Sequence, residues 1–140
     1  MAKIAVVFWS GTGNTEAIAN AVADGAKEKG AEVELLGPAD FSADSVDNYD
    51  AFAFGCPAMG AEVLEEDEFQ PMWDAVESKL SGKKIVLFGS YGWGDGEWMR
   101  NWEESAKNAG AEIAAESLTI NEAPDDDGIA KAKALGAAIA

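Results

Sequence analysis

At 140 residues with 48% apolar side chains, the chain has the size of one domain, residues 1–140, with a core of its own. Its 26 acidic and 10 basic residues leave a net charge of −16, which argues against nucleic acid and anionic membrane as partners and favours a basic protein. There is no His, the usual general base and metal ligand, and a single Cys excludes an internal disulfide. Met1-Ala2-Lys3-Ile4 runs straight into a strand pattern, with neither a signal peptide nor a membrane span in view, so a cytoplasmic protein is expected.

The chain opens with an unbroken apolar run, Ile4 to Trp9, the pattern of a central parallel strand covered on both faces. Ser10-Gly11-Thr12-Gly13-Asn14-Thr15 follows. Two glycines permit a tight turn, and Asn14 and Thr15 are placed to cap the helix behind it. Ile18, Val22 and Ala26 give that helix one apolar face, and Gly30 stops it. Glu32-Val33-Glu34-Leu35 alternates and reads as an edge strand; Phe41 to Asn48 is irregular or a single turn. Ala51 to Phe54 is a second central strand, followed by the loop Gly55-Cys56-Pro57-Ala58-Met59-Gly60-Ala61-Glu62. The acidic run Glu65-Glu66-Asp67-Glu68 reads as a solvated face or a docking rim. Pro71 suits a first helical turn, with Met72, Val76 and Leu80 on one face. Ile85 to Phe88 is the third central strand and leads into Gly89-Ser90-Tyr91-Gly92-Trp93-Gly94-Asp95-Gly96. Trp98, Met99, Trp102 and Ala106 line the next helix. Ser117-Leu118-Thr119-Ile120 alternates as the other edge strand, and Pro124 with Asp125, Asp126 and Asp127 opens the last helix.

Five strands alternating with helices predict an α/β fold: a doubly wound five-stranded parallel sheet in the order 2-1-3-4-5, with helices on both faces. In such a sheet the C-terminal strand ends share one edge, and a ligand sits where the order reverses, between strands 1 and 3. The three Gly-rich loops after strands 1, 3 and 4 are therefore neighbours. The first lacks the Lys of a P-loop, and Glu16 stands where a dinucleotide fingerprint has its third Gly. What remains is a neutral, hydroxyl-rich cradle for one terminal phosphate at a helix N-terminus.

Trp93, on a loop between two glycines, is free to cover a flat ligand. Met59 can pack on the same ring or simply fill its loop. Trp73, Trp98 and Trp102 read as core, Trp9 as core or pocket wall, and Cys56 as a buried structural thiol. The Gly60-Ala61 peptide suits a positive-φ turn whose carbonyl could swing toward the ring. A phosphate cradle beside an aromatic slot fits flavin mononucleotide (FMN). With neither a metal cluster nor a nucleophile–base pair in the sequence, the chemistry should belong to that cofactor.

Over its whole length the chain resembles the short-chain flavodoxins. The resemblance rests on Trp9 to Glu16, on Ala58-Met59-Gly60, and on Leu87-Phe88-Gly89-Ser90-Tyr91-Gly92-Trp93-Gly94. It implies a flavodoxin-like fold, phosphate contacts from Ser10, Thr12, Asn14 and Thr15 within the Ser10–Thr15 loop, and ring contacts from Met59, Gly60, Glu62, Gly92 and Trp93. Pro57, Ala58, Ser90, Tyr91 and Gly94 complete the expected cofactor site, with Gly11 and Gly13 in the cradle. Some relatives carry Ser at the Pro57 position, so one phosphate hydroxyl is missing here. The implied function is a low-potential one-electron carrier, not an enzyme. It binds FMN non-covalently, passes through a stabilised neutral semiquinone, and works as a monomer with transient basic partners, namely reductases and acceptor enzymes. An FMN-dependent quinone or azo reductase is the rival reading, and it needs substrate space that Trp93 would fill. A receiver-type signalling domain fails, because neither strand 1 nor strand 3 ends in Asp.

Overall fold

The structure is a computed structural model that describes every residue except Met1, Thr12, 60–62 and 93–95. Its strands are β1 (Lys3–Phe8), β2 (Glu32–Leu36), β3 (Ala51–Gly55), β4 (Lys84–Tyr91), β5 (Glu112–Ile113) and β6 (Leu118–Asn121). Its α-helices are α1 (Asn14–Glu28), α2 (Phe69–Val76), α3 (Glu97–Asn108) and α4 (Asp126–Ile139). Short 3-10 turns at Pro38–Asp40 and Ala43–Asn48 fill the irregular stretch before β3. The sheet is parallel throughout, in the order β2-β1-β3-β4-β5.

The fifth position departs from the expected single strand. Two segments share it: Glu112–Ile113 pairs with the start of β4, and Leu118–Asn121 pairs with its end. Residues 114–117 separate them, so the edge strand expected at Ser117–Ile120 begins one residue later and is the second half of a broken strand. An edge strand has only one neighbour to satisfy, so such a break costs fewer ladder bonds there than it would inside the sheet.

The central strands build two unlike faces. Ala5, Val7, Phe52, Phe54, Ile85 and Leu87 point to the side covered by α2 and α3. Phe54 meets Trp73 edge-on at 5.3 Å, Trp73 meets Trp102 at 5.7 Å, and Phe69 meets Trp102 at 5.4 Å. These contacts confirm Trp73, Trp98 and Trp102 as core, each 2% exposed or less. Trp73 Nε1 donates to Ser105 Oγ, which in turn hydrogen-bonds the Glu77 carboxylate. The other face presents Ile4, Val6, Ala51, Ala53, Val86 and Phe88 to the small residues of α1 and α4. There Gly25 lies against the backbone of Lys133, and Gly136 lies against the carbonyl of Val22. A Cβ on Gly136 would sit 1.9 Å from that oxygen. The two helices can approach this closely only where side chains are missing.

Gly136→Ala is therefore expected to destabilise the apoprotein by about 1–3 kcal/mol, the range for forcing a methyl into a packed interface. Gly37→Ala, where a new Cβ meets nothing within 4 Å, should be neutral or slightly stabilising. Urea denaturation of both variants checks the contrast.

Candidate functional site

The C-terminal ends of β1, β3 and β4 meet at one edge, and the ladder runs on past the strands. Trp9 N–H donates to Gly55 O, Cys56 N–H to Phe88 O, and Ala58 N–H to Ser90 O. The last two fix the loop after β3 against the end of β4. Beyond the strand ends lies a cavity of about 560 Å³, within the usual range of ~300–1,000 Å³ for small-molecule sites. Trp9, Gly11, Asn14, Pro57, Ala58, Met59, Ser90, Tyr91, Gly92, Glu122 and Ala123 line it.

At one end of the cavity stands the N-terminus of α1. Capping here differs from the expectation that Asn14 and Thr15 would do it. The N-cap is Gly13, with φ at 92°, a left-handed conformation that Gly adopts without strain. The capping group comes from further upstream: Ser10 Oγ accepts from Gly13 N–H at 3.1 Å and from Glu16 N–H at 3.2 Å. Those bonds use both lone pairs of the hydroxyl and leave its proton free to donate. Asn14 and Thr15 occupy the first helical turn, and their backbone N–H groups make no hydrogen bond to another described residue. Thr15 itself is buried, and its Oγ1 lies 3.0 Å from Ser90 Oγ, so one hydroxyl pair ties the first turn of α1 to the end of β4.

Part of the lining is aromatic. Trp9 proves to be a pocket wall; its ring lies so close to Gly11 that a Cβ there would be 3.0 Å away. Tyr91 packs against Trp98 at 5.7 Å. Met59 is pinned by a reciprocal pair of bonds with Val63, at 2.9 and 3.0 Å. Of the other expected site residues, Pro57, Ala58, Ser90, Tyr91 and Gly92 line the cavity, while Ser10, Gly13 and Thr15 adjoin the lining residues Gly11 and Asn14 in the chain. Thr12, Gly60, Glu62, Trp93 and Gly94 lie outside the described residues.

Two lining residues are additions from a fourth loop, the one after β6. Glu122 N–H donates to Tyr91 O at 2.7 Å, and Asn121 Nδ2 donates to the same oxygen at 3.3 Å. Glu122 has φ at 58° and is the only non-Gly residue with positive φ among the described residues. The sequence signal was the strand end itself, since every loop on this edge of the sheet faces the same crevice.

Cys56 is fully buried at the end of β3, as expected. Its thiol donates to Pro57 O and accepts from Glu65 N–H at 3.4 Å. Burial pushes its pKa up to about 12; the Glu65 N–H bond pulls slightly the other way, and the Glu65 charge adds to the rise.

The acidic run needs a correction. Glu66, Asp67 and Glu68 are exposed, but Glu65 is only 6% exposed. Its carboxylate accepts from the backbone N–H groups of Asp67 at 2.9 Å, Glu68 at 2.7 Å and Phe69 at 2.8 Å. Burial alone would raise its pKa, yet those bonds outweigh it and hold the carboxyl below the ordinary range. Burying a carboxylate is tolerable here because it caps the start of α2.

The whole arrangement can be set against known proteins. The family model for flavodoxin matches residues 6–136. The flavodoxin of Clostridium beijerinckii is 46% identical over 86% of this chain and 88% of its own length. That of Megasphaera elsdenii is 44% identical over 98% of both chains. The chain belongs to the flavodoxin family. In three dimensions it matches the solution structure of two-electron reduced Megasphaera elsdenii flavodoxin with a TM-score of 0.89, at 43% identity over 97% of each chain. It is thus an electron-transfer flavoprotein rather than an enzyme, its cofactor is FMN, and a carrier of this kind works with redox partners.

The residues present fit that cofactor. The cavity is lined by the start of α1 at Asn14 and by the aromatic rings of Trp9 and Tyr91, and Gly11 lets the backbone approach where a side chain would strike Trp9. Among the described residues no helix is long and apolar enough to cross a membrane, and no cluster of side chains could hold a metal ion.

The burial of Cys56 yields a prediction. At pH 8, alkylation of the apoprotein by a small thiol reagent should track global unfolding and be negligible under native conditions. The thiol is held neutral in the fold, so its contribution to stability is complete below the unfolded pKa of about 9. It should be lost as pH rises toward about 12. Alkylation rates measured with and without urea check the first point, and denaturation midpoints across pH check the second.

Proposed function

We propose that the chain is a low-potential, one-electron carrier that holds FMN non-covalently within a single domain, residues 1–140. In this reading it is a cytoplasmic monomer that docks transiently on basic redox proteins, the reductases and acceptor enzymes at either end of its route. The observation that carries the proposal is the set of donors at the N-terminus of α1. Ser10 Oγ accepts from Gly13 and Glu16 and so keeps its own proton for an anion. The adjacent Asn14 and Thr15 N–H groups lie at the positive end of the helix. Together they suit a terminal phosphate without any cationic side chain.

The remaining assignments keep the residues named from the sequence. Ser10, Gly11, Thr12, Gly13, Asn14 and Thr15 take the phosphate end. Pro57, Ala58, Met59, Gly60 and Glu62, with Ser90, Tyr91, Gly92, Trp93 and Gly94, take the ring, and Trp9 joins them as a wall. The bound flavin supplies the electron chemistry; the protein binds it, orients it and excludes water from its faces. A low potential is supported by the charge of −16, since negative side chains around a buried ring oppose further negative charge on it.

Ser10→Ala should weaken FMN binding by about 1.5–3 kcal/mol, the range for a hydrogen bond to a charged group, and change riboflavin binding far less. Fluorescence titration of the apoprotein with both flavins measures it. Equal affinity of the parent protein for FMN and riboflavin would contradict the phosphate assignment. Photochemical reduction followed by absorption tests the one-electron assignment, which requires a stable half-reduced form between the oxidised and fully reduced spectra. For the partners, stopped-flow electron transfer to a basic cytochrome should slow steeply as ionic strength rises, whereas a flat rate would point to an apolar docking face.

A further inference from the structure

We propose that Glu65 is a positioning residue for the ring half of the cofactor site, anchoring the loop that presents Pro57, Ala58 and Met59 to the cavity. The inference rests on the reading that this cavity takes the flavin ring. The loop leaves the sheet at Cys56 and returns to it at Glu65, whose N–H bonds Cys56 Sγ. At that closure nearly every polar atom of Glu65 is engaged: its N–H bonds Cys56 Sγ, its carbonyl accepts from Gln70 N–H, and its carboxylate takes the N–H groups of Asp67, Glu68 and Phe69. One residue thus ties the end of β3 to the start of α2 across the base of the loop.

The other fastenings of the loop are backbone to backbone: Ala58 N–H to Ser90 O, and the reciprocal Met59–Val63 pair. The Cys56 thiol accepts the Glu65 N–H, and the Glu65 carboxylate in turn fixes that residue to the start of α2. Leu64, beside it, is 7% exposed, and Glu66, beside it on the other flank, is exposed. The charged and titratable groups around Glu65 are Glu66, Asp67 and Glu68 on its own segment and the neutral Cys56 thiol on β3. Among the described residues the carboxylate pairs with no cation, and its role is carried by the hydrogen bonds. If the anchor is removed, the loop must be ordered when the flavin binds, so the cost appears in affinity for the ring. The phosphate end, built on Ser10 and α1, does not depend on it.

The test compares binding of riboflavin and FMN to the purified apoprotein, its Glu65→Ala and Glu65→Gln variants, and Glu66→Gln as a control with the same change of charge on the same segment. Glu65→Ala should weaken both flavins by about the same factor, near tenfold, leaving the ratio of FMN to riboflavin affinity as in the parent. Glu65→Gln should fall between. An amide oxygen in place of Oε1 keeps the Glu68 and Phe69 bonds, while the amide nitrogen cannot accept from Asp67. The visible circular dichroism of bound flavin should shift in both Glu65 variants, and Glu66→Gln should behave as the parent.

A folded Glu65→Ala protein that binds riboflavin as tightly as Glu66→Gln does would overturn the proposal. So would a selective loss of FMN over riboflavin, because that would move the defect to the phosphate end. Should Glu65→Ala fail to fold, Glu65→Gln decides on the same readings. Failure of the parent protein to bind either flavin would instead remove the cofactor reading on which the inference stands.

Discussion

Strand β3 alternates Phe with Ala, and this alternation sets the rest of the molecule. Phe52 and Phe54 face one way, and Ala51 and Ala53 the other, so a strand buried on both sides gives the sheet one bulky face and one thin one. The bulky face takes the aromatic side of α2 and α3. The thin face leaves room for α1 and α4 to lie close to the sheet and to each other, at Gly25 and Gly136. Because α1 is seated by this packing, its N-terminus is fixed relative to the ends of β1, β3 and β4. The cavity is thus a consequence of which residues fill the core.

Both loops that flank the cavity between β1 and β3 solve the same problem in the same way. A helix start has N–H groups without an intrahelical partner, and in both loops the capping oxygen comes from upstream of the N-cap. In α1 the N-cap is Gly13 and the capping oxygen reaches in from Ser10. In α2 the N-cap is Glu68, and the capping oxygens reach in from Glu65. In each case the acceptor sits three residues before the N-cap. The first arrangement leaves N–H groups of α1 open toward the cavity; the second consumes those of α2 to close a loop. The difference follows from chemistry, since a neutral hydroxyl retains a proton to donate and an ionised carboxylate does not.

Much of this was legible in the sequence. Apolar runs without alternation located the three central strands, glycines and acidic clusters bounded the helices, and the strand order put three Gly-rich loops together. Four features were not legible, each for a physical reason. Ser10 was not identified as the cap, because sequence rules look for it at the residue adjoining the helix, where the chain has Gly13. Glu65 read as solvated, because an acidic run is normally exposed and nothing local says that one member turns inward to meet three N–H groups. Glu122 was missed because its left-handed conformation is one that sequence assigns to Gly or Asn. It is held there by the bond from its N–H to Tyr91 O, a tertiary contact with no local signature. The break between β5 and β6 is of the same kind, since only pairing with β4 reveals that both pieces occupy one position.

A chain with a net charge of −16 that carries an anionic cofactor poses an electrostatic question, and the answer lies in distance. Exposed charges more than about 8–10 Å apart are largely screened at ordinary ionic strength. The donors at the start of α1 act at hydrogen-bond range. Each hydrogen bond to a charged group is worth about 1.5–3 kcal/mol, and the helix terminus adds about 0.3–1 kcal/mol. A few such donors therefore outweigh a large but diffuse negative surface. That surface is then free to act over the longer distances at which partners approach, without loosening what is held inside. Under the proposed assignment, basic side chains at the start of α1 would bind the phosphate too, at the cost of a positive patch on a surface proposed to meet basic partners. A cradle of N–H groups and hydroxyls keeps the two roles of charge apart.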